Sequence, residues 1–173
     1  MTDNLVAEAA IRELYPRYTD AVFRKDADAF GDLFVEDAEW RISGLLMRGR
    51  AEIVERITAV FPNYRRILMH FHNPIIAFDG ETAIVRVYVR ELSAFADGRP
   101  FGPIGTYYDR CVEDDGRWRF AWRLFQTQYA GPPDMTGQFF DNPDWGPPPA
   151  MPPLDTMAID HTGVLQRQKE GKA

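Results

Sequence analysis

The apolar residues of this chain change their period after Pro62, and that change limits the folds open to it. Before it they keep helical spacing. Ile11, Leu14, Tyr15, Tyr18 and Val22 recur three or four apart and form one stripe. Pro16 lies inside that stripe and is expected to kink the helix or split off its first turns. Asp26 is placed to cap a short second helix carrying Phe30, Leu33 and Phe34. AEWRISG then reads as a strand with LMRGR as a short return, and Ile53, Ile57 and Val60 mark a third helix. Beyond Pro62, RILMHFHNPIIAF, ETAIVRVYVRELSAF, GPIGTYYDRCV and RWRFAWRLFQTQY read as long strands. Asp79-Gly80, Asp97-Gly98 and Asp115-Gly116 lie between them, and Asp-Gly suits a tight hairpin because it tolerates positive φ. Helices followed by successive hairpins predict an α+β fold: a curved antiparallel sheet wrapped around three N-terminal helices, with a conical cavity between the layers.

The 173 residues suffice for one domain with a sizeable core. Eight of the 13 prolines lie between Pro132 and Pro153. Residues 1–131 therefore read as the folded body and 132–173 as a Pro-rich extension. The extension carries Phe139, Phe140, Trp145, Met151 and Leu154, which require burial. It is expected to fold back on the pocket mouth or on a neighbouring subunit. A net charge of −6 argues against nucleic acid and anionic membranes as partners. No apolar run approaches the ~18 residues of a membrane span. The opening MTDNLVAEAA lacks the basic and apolar stretches of a signal peptide, and the lone Cys111 has no partner for an internal disulfide. A cytoplasmic protein is expected. Arg86, Tyr88, Arg90, Tyr108 and Arg110 share the outer strand face, and arginine and tyrosine are enriched at interfaces. They predict a homo-oligomer, with a trimer favoured over a dimer.

AAIRELYPRYTDAVFRKDADAFGDLFVEDAEW resembles the opening of nuclear-transport-factor-2-like (SnoaL-like) proteins. GTYYDRCVEDDGRWRF resembles the paired last strands of that fold. The members most similar in pattern are scytalone dehydratase, hexachlorocyclohexane dehydrochlorinase and bile-acid 7α-dehydratase. The resemblance implies a cone-shaped α+β barrel over residues 1–131 and acid/base chemistry on a small molecule, without a cofactor.

It also implies site residues. His70 matches the histidine that these relatives use as acid or base, a role suited to a group titrating near neutral pH. His72 shares its strand face, which leaves open which of the two is active. Tyr18 matches a pocket tyrosine on the first helix, and Tyr107 a position that supplies a polar pocket group. Arg123 matches an arginine on the last strand that could steady a developing anion. Bare alternation turns Trp118, Phe120, Trp122 and Leu124 inward, so Arg123 needs a bulge near Trp122 to face in. Trp40 reads as cavity wall. The chain departs from its relatives at Phe23, where they carry a catalytic aspartate. Glu91, ending the inward row Ala83, Val85, Val87, Val89, is the substitute carboxylate on the sheet side.

His70-x-His72 also has the spacing of two metal ligands, but the positions that would supply a following glutamate are Ile76 and Ala77, and His161 lies in the extension. No metal is expected. Three functions remain open. The first is a cofactor-independent lyase acting on a small, apolar, oxygenated molecule of aromatic type, by dehydration, another β-elimination or retro-aldol release of formaldehyde. The second is a ketosteroid-type isomerase. The third is a non-catalytic binding domain with a vestigial pocket, which Phe23 favours.

Overall fold

A computed structural model describes residues 2–157. Helix α1 (Thr2–Arg24) is followed by α2 (Ala27–Gly31), β1 (Phe34–Ile42), β2 (Leu45–Arg48) and α3 (Arg50–Thr58). The strands β3 (Tyr64–Phe71), β4 (Ile75–Asp79), β5 (Thr82–Phe95), β6 (Pro100–Phe101), β7 (Ile104–Asp114) and β8 (Arg117–Ala130) follow, with a short β9 (Gln138–Phe139). The expected helical stripe forms: Ile11, Leu14, Tyr15, Tyr18 and Val22 are all buried. Pro16 does not split α1, which runs unbroken past it with the proline on its exposed side. The Asp26 carboxylate accepts from the Ala29 amide at 2.9 Å and caps α2. That helix is shorter than expected, so Leu33 falls in the turn after it and Phe34 opens β1.

The sheet runs β2-β1-β8-β7-β5-β3, and β4 continues along the same edge of β5. The stretch expected as one strand over RILMHFHNPIIAF breaks at Pro74, which has no amide hydrogen to donate. Asp115 and Gly116 both take positive φ, at 51° and 70°, and turn β7 into β8. The Asp-Gly hairpins give the antiparallel pairs anticipated. The whole sheet, however, is mixed, because β1 lies parallel to β8 with Trp40 opposite Arg123. No hairpin joins those two strands, so turn chemistry leaves their relative direction free. The sheet curls over α1 as a half-barrel, and its concave face carries Val85, Val87 and Val89 against the helical stripe.

In the β7–β8 pairing Arg110 faces Trp122 while Cys111 faces Phe120, so Ala121 is the extra residue of a bulge. It reverses the parity of the strand. Phe120 points into the core before it and Arg123 after it, both without accessible surface. Trp122 and Leu124, expected inward, turn to the outer face and pack with Tyr108.

The extension crosses that outer face. Trp145 and Met151 cover Tyr108, Trp122 and Leu124. Arg86 donates to the Gly146 carbonyl at 2.7 Å, and Arg41 to that of Thr156 at 3.0 Å. Arg86 and Tyr108, expected at a contact between copies, thus already meet their own chain, while Arg90 stays exposed. Phe139 and Leu154 are exposed as well. No helix among the described residues is long and apolar enough to cross a membrane.

Candidate active site

A cavity of about 250 Å³ lies between α1, the β1–β2 hairpin, α3 and the concave face of the sheet. Its wall is mostly apolar and aromatic, and a few polar groups converge on it, the composition typical of small-molecule sites. Four of the sequence-derived candidates line it: Tyr18 from α1, Trp40 from β1, Glu91 from β5 and Tyr107 from β7.

Glu91 continues the inward row of β5 through Ser93 to Phe95. The Ser93 hydroxyl donates to its Oε1 in a short hydrogen bond. Desolvation by the surrounding apolar wall pushes its pKa up to about 7, and the Ser93 bond opposes that rise without cancelling it. A carboxyl in this state exchanges a proton near neutral pH, the property required of a general acid or base. Its charge in turn adds to the desolvation that raises the neighbouring Tyr64 phenol.

The Tyr18 and Tyr107 rings meet edge to face with their centres 6.4 Å apart, so the two phenols stand side by side in the cavity wall. Burial pushes Tyr18 up to about 12, and Tyr107 well above its ordinary value. Both therefore stay protonated across the physiological range and serve as donors toward an oxygen in the cavity.

Arg123 has no accessible surface and does not form part of the cavity wall. Its Nε and Nη2 donate to Asp109 at 2.8 and 3.2 Å, and the Tyr15 hydroxyl donates to the same carboxylate at 2.9 Å. Burial opposes the Arg123 cation, but Asp109 together with the neighbouring Tyr107 and Tyr18 outweighs it, so the arginine stays charged. Burial likewise works against the Asp109 carboxylate, while Arg123 and Tyr15 support it.

The other candidates stand elsewhere. Ile67, Met69 and Phe71 form the inward row of β3, so His70 and His72 face outward and are exposed. Phe23 is 48% exposed on α1. With Arg12, Thr19 and Asp20 they border an open outer groove of about 620 Å³. The structure therefore does not bring His70 to Glu91, Tyr18 or Tyr107, and Phe23 does not line the barrel interior. The sequence reading missed Asp109, Tyr15, Ser93 and Tyr64. Asp109 was within reach, because it shares a strand face with Tyr107, but its pairing with Arg123 depends on the bulge at Ala121. Among the described residues no three histidine, cysteine or acidic side chains converge as a metal site.

The SnoaL-like domain family matches residues 3–123, and the chain belongs to that family. Its solved neighbours include a proposed scytalone dehydratase from Novosphingobium aromaticivorans DSM 12444. That protein shares 27% identity over 76% of this chain and 91% of its own, with a TM-score of 0.71. A proposed aromatic ring hydroxylase from Novosphingobium aromaticivorans is 30% identical over 68% of this chain and 86% of its own, with a TM-score of 0.65. The hexachlorocyclohexane dehydrochlorinase LinA-type3 from Novosphingobium barchaimii LL02 shares the fold, at 20% identity over 82% and 99% of the two chains and a TM-score of 0.69. Among curated proteins none matches the chain.

Proposed function

We propose that this chain is a cofactor-independent lyase that works on a small, largely apolar, oxygenated molecule held in the inner cavity. The observation that carries this reading is Glu91, a carboxyl raised to about 7 in an aromatic wall that also presents the Tyr18–Tyr107 phenol pair. In a β-elimination the Glu91 carboxylate takes the proton from carbon and the C–H pair becomes the new double bond. The leaving hydroxyl, held by a phenol, takes back that proton from the Glu91 carboxyl and departs as water, which returns Glu91 to its carboxylate. In a retro-aldol cleavage Glu91 takes the hydroxyl proton, the C–C bond breaks to release formaldehyde, and the carbanion is reprotonated. In both, the phenols hold the oxygen on which charge develops. The dehydratase and dehydrochlorinase names among the structural neighbours support the lyase class.

A proton-shuttling isomerase is the second reading. A carboxylate base with acidic oxygen donors is the arrangement of ketosteroid isomerase, and Glu91, Tyr18 and Tyr107 in one cavity wall supply a carboxylate and oxygen donors. Incubation with a panel of hydroxylated aromatics and enones, followed by mass spectrometry, separates the cases. Loss of water or of formaldehyde supports a lyase, and unchanged mass with a shifted double bond supports an isomerase. No turnover of any compound, with binding retained, leaves a binding domain and contradicts the proposal.

A further inference from the structure

We propose that the buried Arg123–Asp109 pair is the polarising element of the site: its guanidinium stands against the rings of Tyr107 and Tyr18 and strengthens their hydroxyls as donors to a bound oxygen. The proposal rests on the reading above that these phenols face the substrate.

The geometry is a cage. The guanidinium carbon lies 4.0 Å from the ring centre of Tyr107, 4.1 Å from that of Phe120, 4.7 Å from that of Tyr18 and 5.5 Å from that of Trp40. A cation on the face of a phenol ring draws electron density from it and makes the hydroxyl a stronger donor. The pair is also oriented. Asp109 accepts from Tyr15 on one side, while the guanidinium lies against Tyr107 and Tyr18 on the other. The field at each phenol follows that orientation. Asp109 raises the Tyr15 pKa more than Arg123 lowers it, whereas for Tyr18 the lowering by Arg123 outranks the rise from Asp109.

A stabilising role alone accounts poorly for this arrangement. Burying an ion pair costs desolvation that well-packed apolar residues avoid. This pair also leaves Arg123 Nη1 buried without a hydrogen-bond partner. The cation reaches the cavity only through the aromatic rings, since Arg123 has no surface of its own there. Arg123 and Asp109 are thus positioning residues, and the phenols are the groups that touch substrate.

The test reads the ionisation of bound 4-nitrophenol, whose phenolate mimics a developing oxyanion and absorbs at its own wavelength. The measurement uses the full chain carrying Glu91→Gln, so that no nearby carboxylate opposes the bound phenolate. Adding Arg123→Met is expected to lower the bound ratio of phenolate to phenol by about tenfold. In a chain that also carries Tyr18→Phe and Tyr107→Phe, Arg123→Met is expected to change the ratio by less than about twofold. If the Arg123 variant does not fold, the single phenol variants decide. Tyr107, stacked closest, is expected to cost more when replaced by Phe than Tyr18. An unchanged ratio in the Arg123 variant overturns the proposal, as does an equal loss with and without the phenols, or a reversed order of the single variants. Failure of 4-nitrophenol to bind any variant overturns the cavity reading itself, and the proposal with it.

Discussion

Replacing Glu91 by Gln should make the protein more stable, and only in part of the pH range. The ordinary carboxyl pKa of 4.5 rises to about 7 in the fold. Below 4.5 the group is protonated in both states and has no effect on stability. Between 4.5 and 7 the folded state binds more protons than the unfolded one, so stability falls as pH rises. Above 7 the full penalty is present, about 3 kcal/mol at most. Gln carries no charge to desolvate, and its carbonyl can still accept from Ser93. Glu91→Gln is therefore expected to match the parent in urea unfolding near pH 4.5, followed by tryptophan fluorescence, and to exceed it by about 2–3 kcal/mol at pH 8. A variant no more stable than the parent at pH 8 would show that Glu91 is better solvated, or better paired, than its surroundings indicate. A gain at pH 8 accompanied by lost turnover is the signature of a strained functional group.

Two further changes test the surroundings of the cavity. A Cβ on Gly105 would stand 2.5 Å from the Phe125 ring, which lines the cavity, and 2.6 Å from the Gln126 carbonyl. Gly105→Ala should therefore cost about 1–3 kcal/mol in thermal or urea unfolding and weaken ligand binding, because the ring has to move into the cavity. Trp145→Ala removes the indole that covers Tyr108, Trp122 and Leu124. It should cost about 2 kcal/mol in the same assay, less than for a fully buried indole because Trp145 keeps some exposure.

Local chemistry explains which parts of this architecture were legible in the sequence. The Asp79-Gly80 and Asp115-Gly116 turns, the Asp26 cap and the α1 stripe each depend on residues close in the chain, and each formed. The parallel placement of β1 on β8 depends on no local signal. The bulge at Ala121 was recognised only as a requirement for Arg123 to face inward. The structure supplies it, and the same shift sends Trp122 and Leu124 outward beneath the extension. The site divides in the same way. Tyr18 and Glu91 were placed correctly by helical stripe and strand alternation, and both line the cavity. His70 was placed along the chain by resemblance, but alternation in β3 is set by Ile67, Met69 and Phe71, which turn it to the outer groove. Phe23 sits on that same outer side, so the missing aspartate leaves no gap in the barrel interior.

The central claim is that proton transfer belongs to Glu91 inside the barrel and not to His70 outside it. The direct measurement is the pH dependence of kcat/KM for the parent, Glu91→Gln and His70→Ala, on any compound that the panel shows to turn over. With Glu91 as base, the parent rate should rise with pH through about 7 and then level off. Glu91→Gln should lose at least about 10²-fold, while His70→Ala should keep the parent profile within about threefold. Full activity in Glu91→Gln together with a collapse in His70→Ala would contradict the account and move the chemistry to the outer groove.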